Sequence, residues 1–245
     1  MTGILYIVST PIGNLQDITV RAMDVLGKVP FIACEDTRRT GILLKHIEGI
    51  LPPPAGGSNT TNKPKLISYY EQNEERRIPE IINILKEGKD IALVSDAGTP
   101  TISDPGFKLV RECIKESIKV ESIPGPSSVL AALTSSGLPT DKFLFLGFLP
   151  KKQGHRKKLL QNVASMIRII EATVIFFEGP HRLLRTLEEL EEIFGEIDIV
   201  LARELTKIHE EVIRGKISEV LKRFENKNPR GEFVVLLNTK TSKEI

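Results

Sequence analysis

At 245 residues the chain is long enough for one large domain or two modest ones, and two is the expected organisation. Forty per cent apolar and 27% charged residues exclude disorder as the default. A net charge of +2 is too small to announce a polyanion partner, so only the local placement of Lys and Arg can speak for nucleic acid. The two cysteines, Cys34 and Cys113, lie outside any redox or ligand spacing, and the four histidines never pair at metal spacing. These features predict a cytoplasmic protein in a reducing compartment, with no metal. No early stretch reads as a signal peptide and no apolar run approaches the ~20 residues of a membrane helix, so no membrane partner is expected.

Ile4 to Val8 is a continuous apolar run, as in a parallel strand covered on both faces, and "STPIGNLQD" follows it. Ile18, Ala22, Val25 and Leu26 then recur at helical spacing, with Gly27 as the expected C-cap. Phe31 to Cys34 reads as a second strand, followed by "EDTRRT" and a helix through about His46. The unit repeats with a strand at Lys65 to Tyr69, a helix at Ile78 to Glu87 closed by Gly88, and a strand at Ile91 to Val94. Asp104-Pro105 reads as an N-cap with Pro at N1, opening a helix that buries Phe107, Val110, Cys113 and Ile114. A strand at Val120 to Ile123, the loop "PGPSS" and a helix at Val129 to Ser135 complete five βα units.

"ILPPPAGGSNTTNKPK", residues 50 to 65, interrupts this rhythm and reads as an exposed insertion. Beyond Pro139 the texture changes. "KFLFLGFLP" is extended and apolar, and strands are expected at Thr173 to Phe177, Ile197 to Ala202, Glu211 to Arg214 and Phe233 to Leu237. Helices are expected at about 180 to 193 and 217 to 224, and the tail "TKTSKEI" reads as frayed. The prediction is an α/β protein of two α/β domains. Residues 1–138 form an N-terminal domain with a mostly parallel sheet, and residues 139–245 a C-terminal domain with a mixed sheet.

In an open parallel sheet, ligands bind outside the carboxyl ends of the strands. "STPIGN", "CEDTRRT", "SDAGTPTISDPG" and "IPGPSS" all fall there. Neither G-x-G-x-x-G nor a P-loop is present, and Asp36, Asp96 and Asp104 disfavour a phosphate-rich ligand. A cationic or neutral nucleoside suits carboxylates, which can take ribose hydroxyls, and small residues such as Ala97 and Gly98, which let the backbone come close. Each loop alone is also an ordinary turn or cap. Their convergence on one edge is the stronger signal.

Residues 151 to 158, "KKQGHRKK", carry five Lys or Arg with no acidic residue until Glu171. Such a run is either a solvated helix face or a grip for a phosphate backbone. "FFEGPHR" and "ARELTKIHEE" place Glu178, His181, Arg182, Arg203 and Glu204 just after apolar strands.

Taken together and in order, "TPIGNLQDIT", "EDTRRT", "SDAGTPTISDPG", "IPGPSS", "FFEGPHR" and "ARELTK" resemble the bacterial small-subunit ribosomal RNA cytidine 2′-O-methyltransferases of the tetrapyrrole methylase superfamily. That resemblance implies S-adenosylmethionine in a cleft between two α/β domains, a homodimer, and 16S ribosomal RNA as substrate within the small ribosomal subunit. It implies cofactor contacts from Pro11, Ile12, Gly13, Ala97, Gly98, Thr99, Ile102, Ser127, Ser128, Phe177, Glu178, Ala202 and Glu232. Asp36 and Glu178 become the candidate catalytic carboxylates. Glu35, Arg38, Lys151, Lys152, Arg156, His181, Arg182 and Arg203 become the candidate RNA contacts. The sequence departs from the family's pattern in its long Pro-rich insertion and in Tyr70 and Gln72, which stand where relatives tend to carry His. Two alternatives stay open: a methylase of a tetrapyrrole or other small acceptor, and a non-catalytic RNA-binding protein.

Overall fold

The computed structural model describes residues 2–50, 63–224 and 228–239. Residues 51 to 62 of the expected insertion at 50 to 65, and all but the first residue of the expected frayed tail, lie outside the described residues. The chain falls into two compact units, Met1–Ser127 and Ser128–Ile245.

The first unit is built on five parallel strands: β1 (Leu5–Val8), β2 (Phe31–Cys34), β3 (Lys65–Ser68), β4 (Ile91–Val94) and β5 (Val120–Ile123), in the order β3-β2-β4-β1-β5. Alternation explains the continuous apolar runs. Leu5, Ile7, Ile91 and Leu93 face α3 (Glu74–Lys86) and α4 (Phe107–Lys115), whereas Val8, Ala92 and Val94 face α1 (Val20–Lys28) and α2 (Thr37–Ile50). Both faces of the sheet are therefore dry.

Three boundaries differ from the sequence reading for identifiable reasons. Helix α1 runs through Gly27 and stops at Val29, whose extended backbone is what a following proline demands. Helix α3 starts four residues early, at Glu74, so that Pro79 lies inside it, in the second turn. Asp104 does not cap α4. The cap is Gly106 at φ +132°, and Phe107 and Ile114 are exposed while Leu109 and Cys113 carry the buried stripe.

The second unit carries β6 (Phe143–Phe148), β7 (Thr173–Glu178), β8 (Asp198–Arg203), β9 (Glu211–Lys216) and β10 (Phe233–Leu237) in the order β6-β7-β10-β8-β9. Only the β6/β7 pair is parallel, which makes the sheet mixed, as the change in texture implied. Helices α6 (Gln153–Ile170), α7 (Pro180–Phe194) and α8 (Ile217–Arg223) build a core around Leu160, Phe176, Leu187, Leu201 and Val235. Helix α5 (Ser128–Ser136), which on sequence reads as the last element of the first half, packs on this second sheet. Arg214 on β9 holds its C-terminal end by donating to the carbonyls of Ser135 and Ser136.

Helix α6 is not bounded in the sequence reading, which weighs only its first residues as a possible solvated helix face. Its buried stripe is Arg156, Leu160, Val163, Ala164 and Ile167, so the apolar period opens on an arginine and its first turn looks like a bare charge run. No side chain caps its start.

Candidate active site

In the parallel sheet, β1 and β4 are neighbours, yet their connections leave on opposite faces: α1 on one side, α4 on the other. Such a topological switch point opens a crevice at the carboxyl ends of the two strands. "STPIGN" and "SDAGTP" are the loops that meet there.

The two loops are joined by backbone. Thr10 N–H donates to the Gly98 carbonyl at 2.9 Å and Gly98 N–H to the Thr10 carbonyl at 3.0 Å, an isolated antiparallel bridge. The Thr10 hydroxyl reaches the Ser95 carbonyl at 3.2 Å. Ser9 Oγ donates to Thr99 Oγ1 at 3.1 Å, and Thr99 donates on to the Pro126 carbonyl of "IPGPSS" at 3.2 Å. Three loops are thus fixed by short side chains that leave no bulk. Gly98 sits at φ +82°, and a Cβ built on it would lie 3.4 Å from Ile12 Cγ2. Thr101 and Ser103 are held left-handed as well, an unfavourable state for residues with a Cβ.

Carboxylates gather on one side of this crevice. Asp36 N–H donates to Asp96 Oδ1 at 3.0 Å, and Asp96 N–H donates to the Glu35 carboxylate, so the loops after β2 and β4 are stitched together. Burial, followed by the charges of Asp96 and Asp104, pushes the Glu35 carboxyl above its ordinary value. Asp104, half-buried under the same loop and accepting from the Ser95 hydroxyl, is pushed up too, by burial first and Asp96 second. Asp36 moves the other way. Arg38 grips it through Nε at 3.0 Å, Nη2 at 2.7 Å and its backbone N–H at 2.8 Å, holding the carboxyl at about 2.

In the second unit, Glu178 ends β7 with a fully buried carboxylate. It accepts from Gly179 N–H at 2.8 Å, from Thr186 Oγ1 at 2.7 Å and from Arg182 at 3.2 Å. Arg156 is buried at 3% exposure and forms a two-pronged pair with the equally buried Glu189, at 2.6 and 2.7 Å. Glu204 accepts Glu232 N–H at 2.9 Å and Lys207 Nζ at 3.1 Å, which ties the end of β8 to the start of β10.

The family model for tetrapyrrole (corrin/porphyrin) methylases matches residues 4–221. The chain belongs to the tetrapyrrole methylase family. It is 48% identical to the ribosomal RNA small subunit methyltransferase I of Thermotoga maritima, over 97% of this chain and 99% of that one. It is also 48% identical to the protein of the same name from Hydrogenobaculum, over 96% of this chain and 95% of the other. Among solved structures, the uroporphyrin-III C-methyl transferase of Thermus thermophilus complexed with S-adenyl homocysteine superposes with a TM-score of 0.62 at 17% identity. The match covers 96% of this chain and 97% of that one, a likeness of fold.

Set within this methylase fold, the residues named from sequence divide. Pro11, Ile12, Ala97, Gly98 and Thr99 stand on the two bridged loops, with Gly13 and Ile102 exposed beside them. Ser127 and Ser128 follow the Pro126 carbonyl that Thr99 holds. Phe177 stands beside Glu178 on β7, and Ala202 is buried on β8 opposite Val234. The Glu232 backbone exchanges hydrogen bonds with Glu204, while its side chain is exposed. Lys151, Lys152 and His181 are exposed. Arg203 is half-buried and donates to the Arg230 carbonyl at 2.6 Å.

Three residues are placed differently from their proposed roles. Arg156 has its guanidinium inside the fold and cannot meet RNA directly. Asp36 and Glu178 have their carboxylates engaged by internal donors, and Arg38 holds the Asp36 carboxyl at about 2. Sequence reading missed the Ser9 and Thr10 side chains as the fasteners of the crevice, although both lie in the quoted "STPIGN". It also missed Glu189, whose only signal was an acidic residue between the buried Leu187 and Leu190.

A groove of about 490 Å³ between α3 and α4 is not the candidate. Both of its lysines already pair with carboxylates of the groove, Lys86 with Glu116 at 2.6 Å and Lys108 with Glu75 at 2.8 Å.

Proposed function

We propose that this chain transfers a methyl group from S-adenosylmethionine to the ribose 2′-hydroxyl of a cytidine in 16S ribosomal RNA, within the small ribosomal subunit and as a homodimer. The observation that carries the reading is the Thr10–Gly98 bridge at the switch point. It makes a crevice of backbone and short side chains with carboxylates at its rim and no phosphate-binding fingerprint. That chemistry suits a nucleoside carrying a positive centre, and the names of the relatives point to small-subunit ribosomal RNA as the acceptor, with the cytidine 2′-hydroxyl implied by the motif resemblance.

The residues present fit such a cofactor. Ala97 is exposed, Gly98 leaves the space of a side chain open, and the polar groups of Ser127 and Thr99 stand at the same edge. When bound, S-adenosylmethionine supplies an electrophilic methyl carbon on a sulfonium. Pro11 to Gly13 and Ala97 to Thr99 hold it by close backbone approach, and Ile102 adds an apolar cover. The acceptor hydroxyl loses its proton as the new C–O bond forms, so a base aids the step by roughly 10²–10⁴-fold. Glu35 suits that task better than Asp36 or Glu178, because its carboxylate is half-buried, carries raised proton affinity and stands at the strand end beside the crevice. Lys151 and Lys152, exposed and without a carboxylate in salt-bridge range among the described residues, hold the RNA backbone.

A tritiated-methyl assay on undermethylated small subunits, followed by nucleoside analysis, tests the proposal. Radioactive 2′-O-methylcytidine is the expected product. Label on a base, or transfer to a small tetrapyrrole in preference to subunits, overturns it; cofactor binding without transfer to either points to a non-catalytic RNA binder.

A further inference from the structure

The loop Leu149–Lys152 joins β6 to α6 and carries the two exposed lysines. Three successive carbonyls of this loop are taken by two guanidiniums. Arg182 Nη2 donates to the Leu149 carbonyl at 2.9 Å and reaches the Pro150 carbonyl at 3.5 Å. Arg156 Nη1 donates to the Pro150 and Lys151 carbonyls, both at 3.2 Å. Each guanidinium is itself seated on a buried carboxylate, Arg182 on Glu178 and Arg156 on Glu189. Arg156, with Nε and Nη2 both on Glu189, has little rotational freedom, so whatever its Nη1 holds is fixed with it.

We propose that Arg156, seated on Glu189, is a positioning residue for RNA engagement: with Arg182 as a second brace, it clamps the loop Leu149–Lys152 so that Lys151 and Lys152 stand ready for phosphates. The proposal rests on the reading of this chain as an RNA methyltransferase. Two physical consequences favour it. An unbraced loop must lose its conformational freedom at the moment of binding, which weakens binding, whereas a braced one has lost it on folding. The clamp also draws three carbonyl oxygens toward the guanidiniums, so these acceptors are already occupied and do not stand unpaired before an incoming phosphate. Lys157 belongs to the same brace, not to the contact face, since its ammonium pairs with Glu192 on α7.

The test uses the full chain and undermethylated small subunits. The double variant Arg156→Met with Glu189→Leu removes the clamp without orphaning a buried charge and leaves the net charge of the fold unchanged. Arg156→Lys is a second variant, which keeps the charge opposite Glu189 but lacks the fork that reaches the carbonyls. Lys151→Gln with Lys152→Gln reports the direct contact. In both clamp variants KM for subunits rises by roughly tenfold, and the dependence of log affinity on log salt flattens toward that of the lysine variant, by up to about 1.5. Affinity for S-adenosylmethionine by calorimetry, and kcat at saturating subunits, stay unchanged. Because the double variant does not alter net charge, a flattened salt dependence can only come from freeing the loop. If the lysine variant raises KM and both clamp variants do not, the positioning role is overturned while the RNA reading stands. If the lysine variant itself leaves KM and salt dependence unchanged, this loop is not an RNA contact and the proposal falls with that part of the reading. If the clamp variants lose cofactor affinity and kcat in step with KM, Arg156 is part of the general scaffold and the proposal is overturned.

Discussion

Carboxylates stand just past the ends of strands in both sheets, yet they are held in opposite ways. Around the parallel sheet, Glu35 and Asp104 are half-buried beside Asp96, and burial and like charge raise their hold on a proton. In the mixed sheet, Glu178 and Glu204, and Glu189 on the neighbouring helix, each face a cation or several N–H and O–H donors, and Glu189 and Glu204 are lowered as a result. The first arrangement destabilises the ionised form and so keeps a site reactive. The second neutralises charge for the sake of structure. A strand-end glutamate in sequence therefore says little until its partner is known, and the partner of Glu189 lies 33 residues away.

The largest effect that tests this contrast is on stability. Glu189→Ala leaves a buried guanidinium unpaired and should cost about 3–5 kcal/mol in thermal or denaturant unfolding. Glu121→Ala, which breaks exposed pairs with Arg21 and Lys119, should cost far less. Equal losses in the two would mean that burial does not set the weight of the Arg156–Glu189 pair.

Next comes the crevice itself. Gly98→Val adds a branched side chain at φ +82° toward Ile12, and should reduce S-adenosylmethionine affinity in calorimetry by at least about 100-fold, or roughly 2.7 kcal/mol. Gly137→Ala is the control. It has nearly the same φ, +80°, but open space around it, so it should cost only the backbone strain of about 1 kcal/mol and leave affinity alone. An unchanged Gly98→Val affinity would place the cofactor elsewhere.

The parallel unit was largely legible in sequence because its strands are buried on both faces and read as short apolar runs, each followed by a loop of small and polar residues. All five strands were bounded to within one residue, and the loops that meet at the switch point were among those read as site-forming. What was not legible was long-range pairing. Nothing in "SDPGF" says that Asp104 turns under the loop to meet Ser95 instead of capping α4. Nothing in "GHRKK" says that Arg156 turns inward while Lys158 stays out, since helical phase is set by a core that the run itself does not contain. The family motifs pointed to the fold and the reading of function, but they carried roles by position and so could not distinguish a free carboxylate from an engaged one.

A smaller effect follows for Asp36. A general base is worth roughly 10²–10⁴-fold, whereas a carboxylate held at about 2 by Arg38 has little to contribute as a base at neutral pH. Asp36→Asn should therefore lower kcat/KM by less than about tenfold, and Glu35→Gln by at least about 100-fold, in the same methyl-transfer assay. The reverse order would restore Asp36 as the base and show that the Arg38 grip opens during turnover.

The smallest effect is the most diagnostic, because its sign is opposite to that of most substitutions. The Asp104 carboxyl is raised in the folded chain above its ordinary 3.8. A carboxyl raised on folding contributes stability only below its unfolded value and loses that contribution as pH rises through the folded value. At neutral pH the native protein thus carries an ionised group that the fold disfavours. Asp104→Asn removes it, so the melting temperature should be higher than that of the parent at neutral pH, and the difference should shrink as pH falls through the raised folded value and be gone below about 4. Glu35→Gln should behave alike, and the two should not add, since both act through Asp96. A lower melting temperature at neutral pH would mean that the hydrogen bond from Ser95 outweighs burial. If instead either variant gains stability while losing methyl transfer, the crevice holds its carboxylates at the expense of its own fold, which is what separates it from the neutralised glutamates of the mixed sheet.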